Sequence, residues 1–400
     1  MARRLRSASE LHNALPEEAL RVIWLALPVD ARARAACVCR AWRAFLSDVS
    51  LWQVLDLTPA GGVAAERVTE NLARGASARA AGNLRVLNFT HLLNLNTRTL
   101  LDAVASGTAA LQLVTTNCYL STTALQGVLA AAPRLQVFNA HALGQCKALL
   151  PILRNEPPYG PLRVNRLRVK LHGAADADVL ALAAAVCAHE SLKGLTVSDV
   201  LFARGLNALV DAAAERRVAR LTIDRCTLDA ESVPALARIF QRNSLEKFSI
   251  LCDGFPHAEE SSVTELYAAL RACRTLTRLK LPLRPQHGAD HRAITKLLDV
   301  AAALPDLIEL NLSNSLVQDT IAFGHALGVL LAANPPSLRT LSVCSCQLGD
   351  LGLAALLDGL AANTHLRELH CDTNNLSDAF ERDRLEPALA ELEARANLAA

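Results

Sequence analysis

The chain is poor in aromatic residues, at 4% of its 400 positions, and has a single methionine. Its interior must therefore be built from leucine, valine and alanine, within a hydrophobic fraction of 52%. No apolar run approaches the roughly twenty residues that a membrane-spanning helix needs. The longest candidates, Val179 to Ala188 and Thr320 to Ala333, are well short of that length. Charge of one sign is also missing: the formal net charge is only +2, so no global field selects nucleic acid or an acidic membrane as a partner. Eleven cysteines are present, but without paired spacing. Cys37 and Cys39, like Cys344 and Cys346, stand too close for zinc patterns with two-to-four-residue gaps. Most read as small buried thiols in a reducing compartment. The expectation is a cytoplasmic or nuclear protein with no metal and no cofactor.

Catalytic signatures are lacking too. There is no Gly-rich phosphate loop ending in Lys-Ser/Thr, no His-Glu-x-x-His and no nucleophile elbow. The histidines are dispersed. His287 and His291 form one i, i+4 pair near Asp290, best read as a solvated loop and helix start. Cys371 lies between His370 and Asp372, but it falls on a buried position of a strand, so its neighbours point the other way. The start, Met1-Ala-Arg-Arg-Leu-Arg, is basic without the apolar core of a secretory signal, and residues 1–12 are expected to be a disordered basic leader. Sequons at Asn88, Asn311 and Asn375 would matter only after secretion and read as coincidence.

What is present begins with LPEEALRVIWLALPVDARARAACVCRAWRAFLSDVSLWQVLDL, residues 15–57. Pro16 suits a first helical turn, and Glu17 and Glu18 place negative charge at its positive end. Leu20, Ile23, Trp24 and Leu27 recur in three- and four-residue steps as one stripe. Pro28 stops that helix and Asp30 is the expected N-cap of the next, which carries Ala35, Val38, Cys39, Trp42 and Phe45. So short a unit cannot bury two tryptophans and this much leucine by itself, so part of the surface must meet another body.

The run Leu15-Pro16, Ile23, Leu27-Pro28, Val38-Cys39-Arg40, Trp42-Arg43, Leu51-Trp52 resembles an F-box over residues 13–57, about a tenth of the chain. In the stretch from Ala31 to Ala36, alanine and arginine replace the leucines of many F-boxes. The resemblance implies docking onto the Skp-type adaptor of a cullin-based ubiquitin ligase, through Leu15, Pro16, Leu20, Ile23, Leu27, Val38, Cys39, Trp42, Leu51 and Trp52.

Behind this module the sequence repeats. A Leu-x-x-Leu-x-apolar pattern recurs, with first anchors at Leu84, Leu111, Leu135, Val164, Leu192, Val218, Leu245, Leu276, Leu307, Leu338 and Leu366. The second anchors follow three residues on, from Leu87 through Val114 and Phe138 to Leu369. The steps fall within the leucine-rich-repeat range, about 20–29 residues and slightly beyond. Each apolar-x-apolar core predicts a short strand with one buried face. Helices are expected at Ser121 to Ala132, Asp176 to Ala188, Asp229 to Gln241 and Asp350 to Asn363, most opened by an Asp or Ser cap. The fold class is α/β: a helical F-box, then a leucine-rich-repeat solenoid whose inner parallel strands and outer helices give a curved horseshoe. Residues 58–83 are a linker or degenerate first repeat, with a helix over Glu66 to Ala81, residues 84–379 hold about eleven repeats, and residues 380–400 form a polar capping helix. Later motifs resemble the ribonuclease-inhibitor class of repeat and earlier ones the cysteine-containing class.

On such strands the residues between anchors line the concave face. These are Arg166, Arg168 and Lys170, then Arg220, Lys247, Arg278 and Lys280, and beyond them Glu309, Asn311 and His370. A cationic middle suits an acidic or phosphorylated protein target, through charge-assisted bonds. The same charges also serve simply to keep a strand face soluble. The expected function is a non-catalytic substrate receptor of a ubiquitin ligase, with neither nucleic acid nor membrane as partner. The alternatives are a scaffold or inhibitor in which residues 15–57 merely cap the solenoid, and a GTPase-activating horseshoe, for which no arginine finger stands out.

Overall fold

A computed structural model of the chain describes residues 15–58, 62–63, 69–88, 110–116, 132–140, 146–154, 156, 164–252, 260–282 and 291–398. The basic leader and most of the helix expected from Ser121 lie outside the described residues. The chain divides into two compact units, Met1–Leu192 and Lys193–Ala400.

The first unit opens with α1 (Glu17–Ala26), started by Pro16, whose carbonyl accepts the Leu20 N–H at 3.0 Å. Next comes α2 (Val29–Ala35), where Pro28 takes the cap position that the sequence suggested for Asp30. Pro28 already has the extended geometry a cap requires, with ψ at 154°. Asp30 therefore falls in the first turn, where it is buried and pairs with Arg34 at 2.6 Å. The expected second helix breaks at residues 36–39, and α3 (Arg40–Phe45) starts afresh with Cys39 Sγ accepting the Trp42 N–H at 3.5 Å. A single 3-10 turn, Val49–Trp52, follows.

Strand β1 (Val54–Asp56) occupies residues that the sequence placed at the end of the F-box. It pairs in parallel with β2 (Val86–Asn88), followed in order by β3 (Leu113–Thr116), β4 (Val137–Ala140) and β5 (Arg166–Lys170). Between β1 and β2 runs α4 (Glu70–Ala80), four residues shorter at its start than expected because Thr69 Oγ1 caps it, accepting the Leu72 N–H at 3.1 Å. Ala81 and Gly82, at φ 46° and 79°, end it in the left-handed region. The unit also contains α5 (Cys146–Leu153) and α6 (Asp176–Ala188). His189, buried after α6, sets its ring nitrogens 3.1 Å from the Leu153 carbonyl and 3.2 Å from the Val164 carbonyl.

The second unit alternates strands and helices: β6 (Gly194–Ser198), α7 (Ala203–Glu215), β7 (Arg220–Asp224), α8 (Ser232–Gln241), β8 (Lys247–Leu251), α9 (Glu260–Ala272) and β9 (Arg278–Lys280). It continues with α10 (His291–Ala303), β10 (Glu309–Asn311), α11 (Thr320–Ala332), β11 (Thr340–Ser342), α12 (Gly349–Ala361) and β12 (Glu368–His370). Successive strands pair in parallel from β6 to β12. The chain is thus an α/β solenoid, with all eleven sequence-predicted second anchors at strand positions and buried.

Capping is less uniform than the Asp and Ser residues suggested. Asp319 caps α11, accepting the Ala322 N–H at 2.8 Å, and Asp229 holds the Ser232 N–H at 2.8 Å before α8. Asp176 and Asp350 instead lie inside their helices. The Asp350 carboxylate serves the next repeat, accepting the Ser377 N–H at 2.9 Å and its hydroxyl at 2.7 Å, and these bonds hold it below the usual carboxylate range.

Six residues beyond the strand starts, Cys226, Ser315, Cys346 and Asn374 fill one buried slot. Asn374 is fully bonded there: its amide donates to the Val343 and Cys371 carbonyls at 2.9 and 2.6 Å, and its oxygen accepts the Cys346 and Leu348 N–H groups at 3.0 and 3.3 Å. The described chain closes with a single turn, α13 (Asp378–Phe380), a π-helical turn and the polar α14 (Glu386–Leu398), which packs against β12.

Helices α11 and α12 touch backbone to backbone. A Cβ on Gly324 would strike the Gly352 carbonyl, and one on Gly359 would strike that of Gly328. Glycine to alanine in a helix normally stabilises by about 1 kcal/mol. Here the sign should reverse: Gly359→Ala is expected to lower stability by about 1–3 kcal/mol through overpacking. A lower urea midpoint than wild type is the expected reading, and a raised midpoint would contradict the close contact.

Candidate functional site

The N-terminal helices divide their apolar residues into two sets. One set is sealed inside the unit. Leu46, Leu51, Trp52, Leu55 and Leu57 are each at most 2% exposed. The Trp52 indole N–H donates to the Leu46 carbonyl at 2.8 Å, and two guanidinium groups lie over its ring, Arg32 at 5.5 Å and Arg79 of α4 at 5.2 Å. Arg32 is itself buried and donates to the Leu51 carbonyl, and desolvation lowers its affinity for the proton. Arg21 adds a bond to Asp48 at 2.7 Å and another to the Ser50 hydroxyl. Trp52 thus fastens the helical module to the helix between β1 and β2, with cation–π attraction from both guanidiniums.

The other set faces outward. Leu15, Val22, Ile23, Leu25 and Val38 are between 41% and 67% exposed. Beside them lies an apolar depression of about 330 Å³ lined by Leu15, Leu20, Ile23, Trp24, Leu27, Ala35 and Trp42. Trp24 and Trp42 meet edge to face at 5.0 Å, which shapes its floor. Of the ten residues expected to meet an adaptor, Leu15, Pro16, Ile23 and Val38 are exposed, and Leu27, Cys39 and Trp42 are half-buried. Leu20, Leu51 and Trp52 are buried; Leu20 still lines the depression, whereas Leu51 and Trp52 belong to the sealed set. Val22 and Leu25, which stand on the exposed face, belong to no single stripe. Their only signal in the sequence was an α1 apolar on more than one side.

The strand faces place the second set of predicted residues. In the first unit Arg166 and Arg168 are exposed and Lys170 is half-exposed. In the second unit the register aligns Arg220 with Lys247, Lys247 with Arg278 and Arg278 with Glu309, so three cations stand on adjacent strands. Arg278 does not stand free: it pairs with Glu309 at 3.6 Å. Among the described residues no carboxylate pairs with Arg220, Lys247 or Lys280. Further along, Asn311 accepts the Ser313 N–H at 3.1 Å, and His370 lies 3.6 Å from Glu368. Each C-terminal residue of the predicted list thus has a partner close by: Arg278 for Glu309, Ser313 for Asn311 and Glu368 for His370.

The thiols behave as structural groups. Cys346 and Cys371 are buried, and burial pushes them up to about 11 and about 12 respectively, far from a thiolate nucleophile at neutral pH. The His287–His291 pair lies outside the described side chains. Among the described residues no cluster of His, Cys, Asp and Glu would hold a metal ion.

Residues 12–58 match a family model described as F-box-like. The chain carries an F-box-like domain. No curated protein sequence matches the chain. Among solved structures, a protein from Bacteroides fragilis is 15% identical with a TM-score of 0.38, covering 56% of this chain and 73% of its own, a likeness too slight to argue from. An F-box-like domain is a protein-interaction module, and the outward apolar set lies within it.

Two outcomes are expected. Trp52→Ala should cost about 3–5 kcal/mol, seen as a large fall in the unfolding midpoint, because it leaves a cavity and two unstacked guanidiniums. Iodoacetamide at mildly alkaline pH should label exposed Cys37 well before Cys346 or Cys371, as followed by peptide mass spectrometry.

Proposed function

We propose that the protein is the non-catalytic substrate receptor of a cullin-type ubiquitin ligase, working in the cytoplasm or nucleus. In this reading the F-box-like domain grips a Skp-type adaptor, and the solenoid holds a protein target. The observation that carries it is the outward apolar set: Val22, Ile23, Leu25 and Val38 stay in solvent although the same short domain buries Leu51 and Trp52 completely. An exposed patch of this kind marks an interaction surface. The receptor contributes proximity: tethering raises the effective concentration of a target lysine near the ubiquitin thioester carried by the partner enzyme. The cations of the strand faces, Arg166 and Arg168 in the first unit and Arg220, Lys247 and Lys280 in the second, which pair with no carboxylate among the described residues, favour an acidic or phosphorylated target.

A second reading, that residues 15–57 only cap the solenoid, draws on the burial of Leu46, Leu51 and Trp52 and on β1 joining the strands. It gives no role to the exposed half of α1, so the two readings make different predictions. Ile23→Asp with Val38→Asp should cut co-purification of the adaptor by at least about tenfold, or 1.4 kcal/mol, while leaving the unfolding midpoint unchanged. If the wild-type chain captures no adaptor, the capping reading stands instead.

A further inference from the structure

The pairing register of the first unit lays out a surface that the repeat pattern alone conceals. The residue just before each buried second anchor aligns Val54 with Val86, Val86 with Leu113, Leu113 with Val137, and Val137 with Arg166. Four apolar side chains therefore stand side by side on the face opposite the buried anchors, and the row ends on a guanidinium. Val54 is 49% exposed, and Val86, Leu113 and Val137 are half-exposed. The next row, two residues along each strand, is polar, with Asp56, Asn88 and Thr115 leading towards Arg168. In the second unit the equivalent first row reads Gly194, Arg220, Lys247, Arg278, Glu309, Thr340 and Glu368, with no apolar side chain. A strand with one solvated face should alternate apolar and polar residues. Strands β1 to β4 break that rule at one position each, in the same register.

The spacing selects the occupant. Neighbouring strands lie about 4.8 Å apart, so the four steps from Val54 to Arg166 span about 19 Å. Same-face side chains of an extended peptide are about 6.7 Å apart and would overrun the row by about 8 Å in four steps. Successive turns of a helix rise about 5.4 Å and overrun it by only about 2.4 Å, within the reach of side-chain rotamers. Charge sets the polarity: Arg166 and Arg168 are exposed at the β5 end, without an ion-pair partner among the described residues, while Asp56 stands at the β1 end.

We propose that the face of β1 to β4 is the docking groove for an amphipathic helix of the target protein, its apolar stripe on Val54, Val86, Leu113 and Val137 and an acidic residue beyond the stripe on Arg166. This rests on the receptor reading and adds to it the form and polarity of what is recognised. Such helix-in-groove recognition uses anchors at three- and four-residue intervals.

The test uses the full chain and a fluorescein-labelled synthetic helix. Its leucines sit at alternating three- and four-residue steps over four turns on an alanine–glutamine background, with two glutamates one turn further on. Comparators carry the same leucines at alternate positions, or lysines in place of the glutamates. Fluorescence anisotropy should show binding of the glutamate helix at least about tenfold tighter than either comparator. Leu113→Asp, or Val137→Asp should the first variant fold poorly, should weaken it at least about tenfold. Arg166→Glu with Arg168→Glu should invert the preference towards the lysine helix. No binding of the glutamate helix, equal binding of the alternating peptide, or indifference to these variants would overturn the groove. Adaptor capture on the same preparations separates the two claims: an adaptor-competent chain that ignores the helix loses only the groove, whereas a chain that captures no adaptor loses the receptor reading.

Discussion

No repeat in this chain can bury its own apolar face, and that constraint organises everything else. A three- to five-residue strand with one helix exposes Leu87, or Val114, or Leu310, unless a neighbour of the same kind lies alongside. Stacking in register satisfies the strand backbone and the buried anchors together. It also forces the intervening side chains into straight rows, so each row becomes a line of chemistry fixed by the spacing of strands. The apolar row from Val54 to Val137 and the cationic row from Arg220 to Arg278 are both products of that geometry.

The same requirement acts on the ends. At the C-terminus it is met by the polar α14, with Arg395 donating to the Asn363 carbonyl at 2.7 Å. At the start it is met by the back half of the F-box-like domain, where Leu51, Trp52 and Leu55 supply what a preceding repeat would otherwise give. The outward side of α1, with Val22, Ile23 and Leu25, is then free of structural duty. That division lets about forty residues both close a solenoid and offer an apolar surface to another protein, with the Trp52 clamp holding the domain against α4.

The repeats were legible because both anchors recur and nearly every second anchor opens a short apolar-x-apolar core. Leu87, Val114, Phe138 and the rest needed no knowledge of their neighbours to be recognised. Strand β1 was hidden because residues 51–57 satisfy two patterns at once, the end of an F-box and the start of a repeat. The caps were misread at Asp30, Asp176 and Asp350 for a local reason: a carboxylate near a helix start suits several positions, and preceding backbone geometry or a bond from the next repeat chooses among them. The exposed apolar surface of the F-box-like domain was half legible. Ile23 and Val38 are exposed, while Leu51 and Trp52 share the same F-box pattern but are sealed inside.

By itself the sequence determined the solenoid, its strand positions and the identity of the helical module, since these depend on periodicity and local spacing that a chain carries along its length. Only the tertiary structure decided which apolar residues stay in solvent, that Arg278 is tied to Glu309, and that Val54, Val86, Leu113 and Val137 form one line. Those facts depend on contacts between residues about thirty positions apart, and no local pattern states which of two apolar faces a neighbouring repeat will cover.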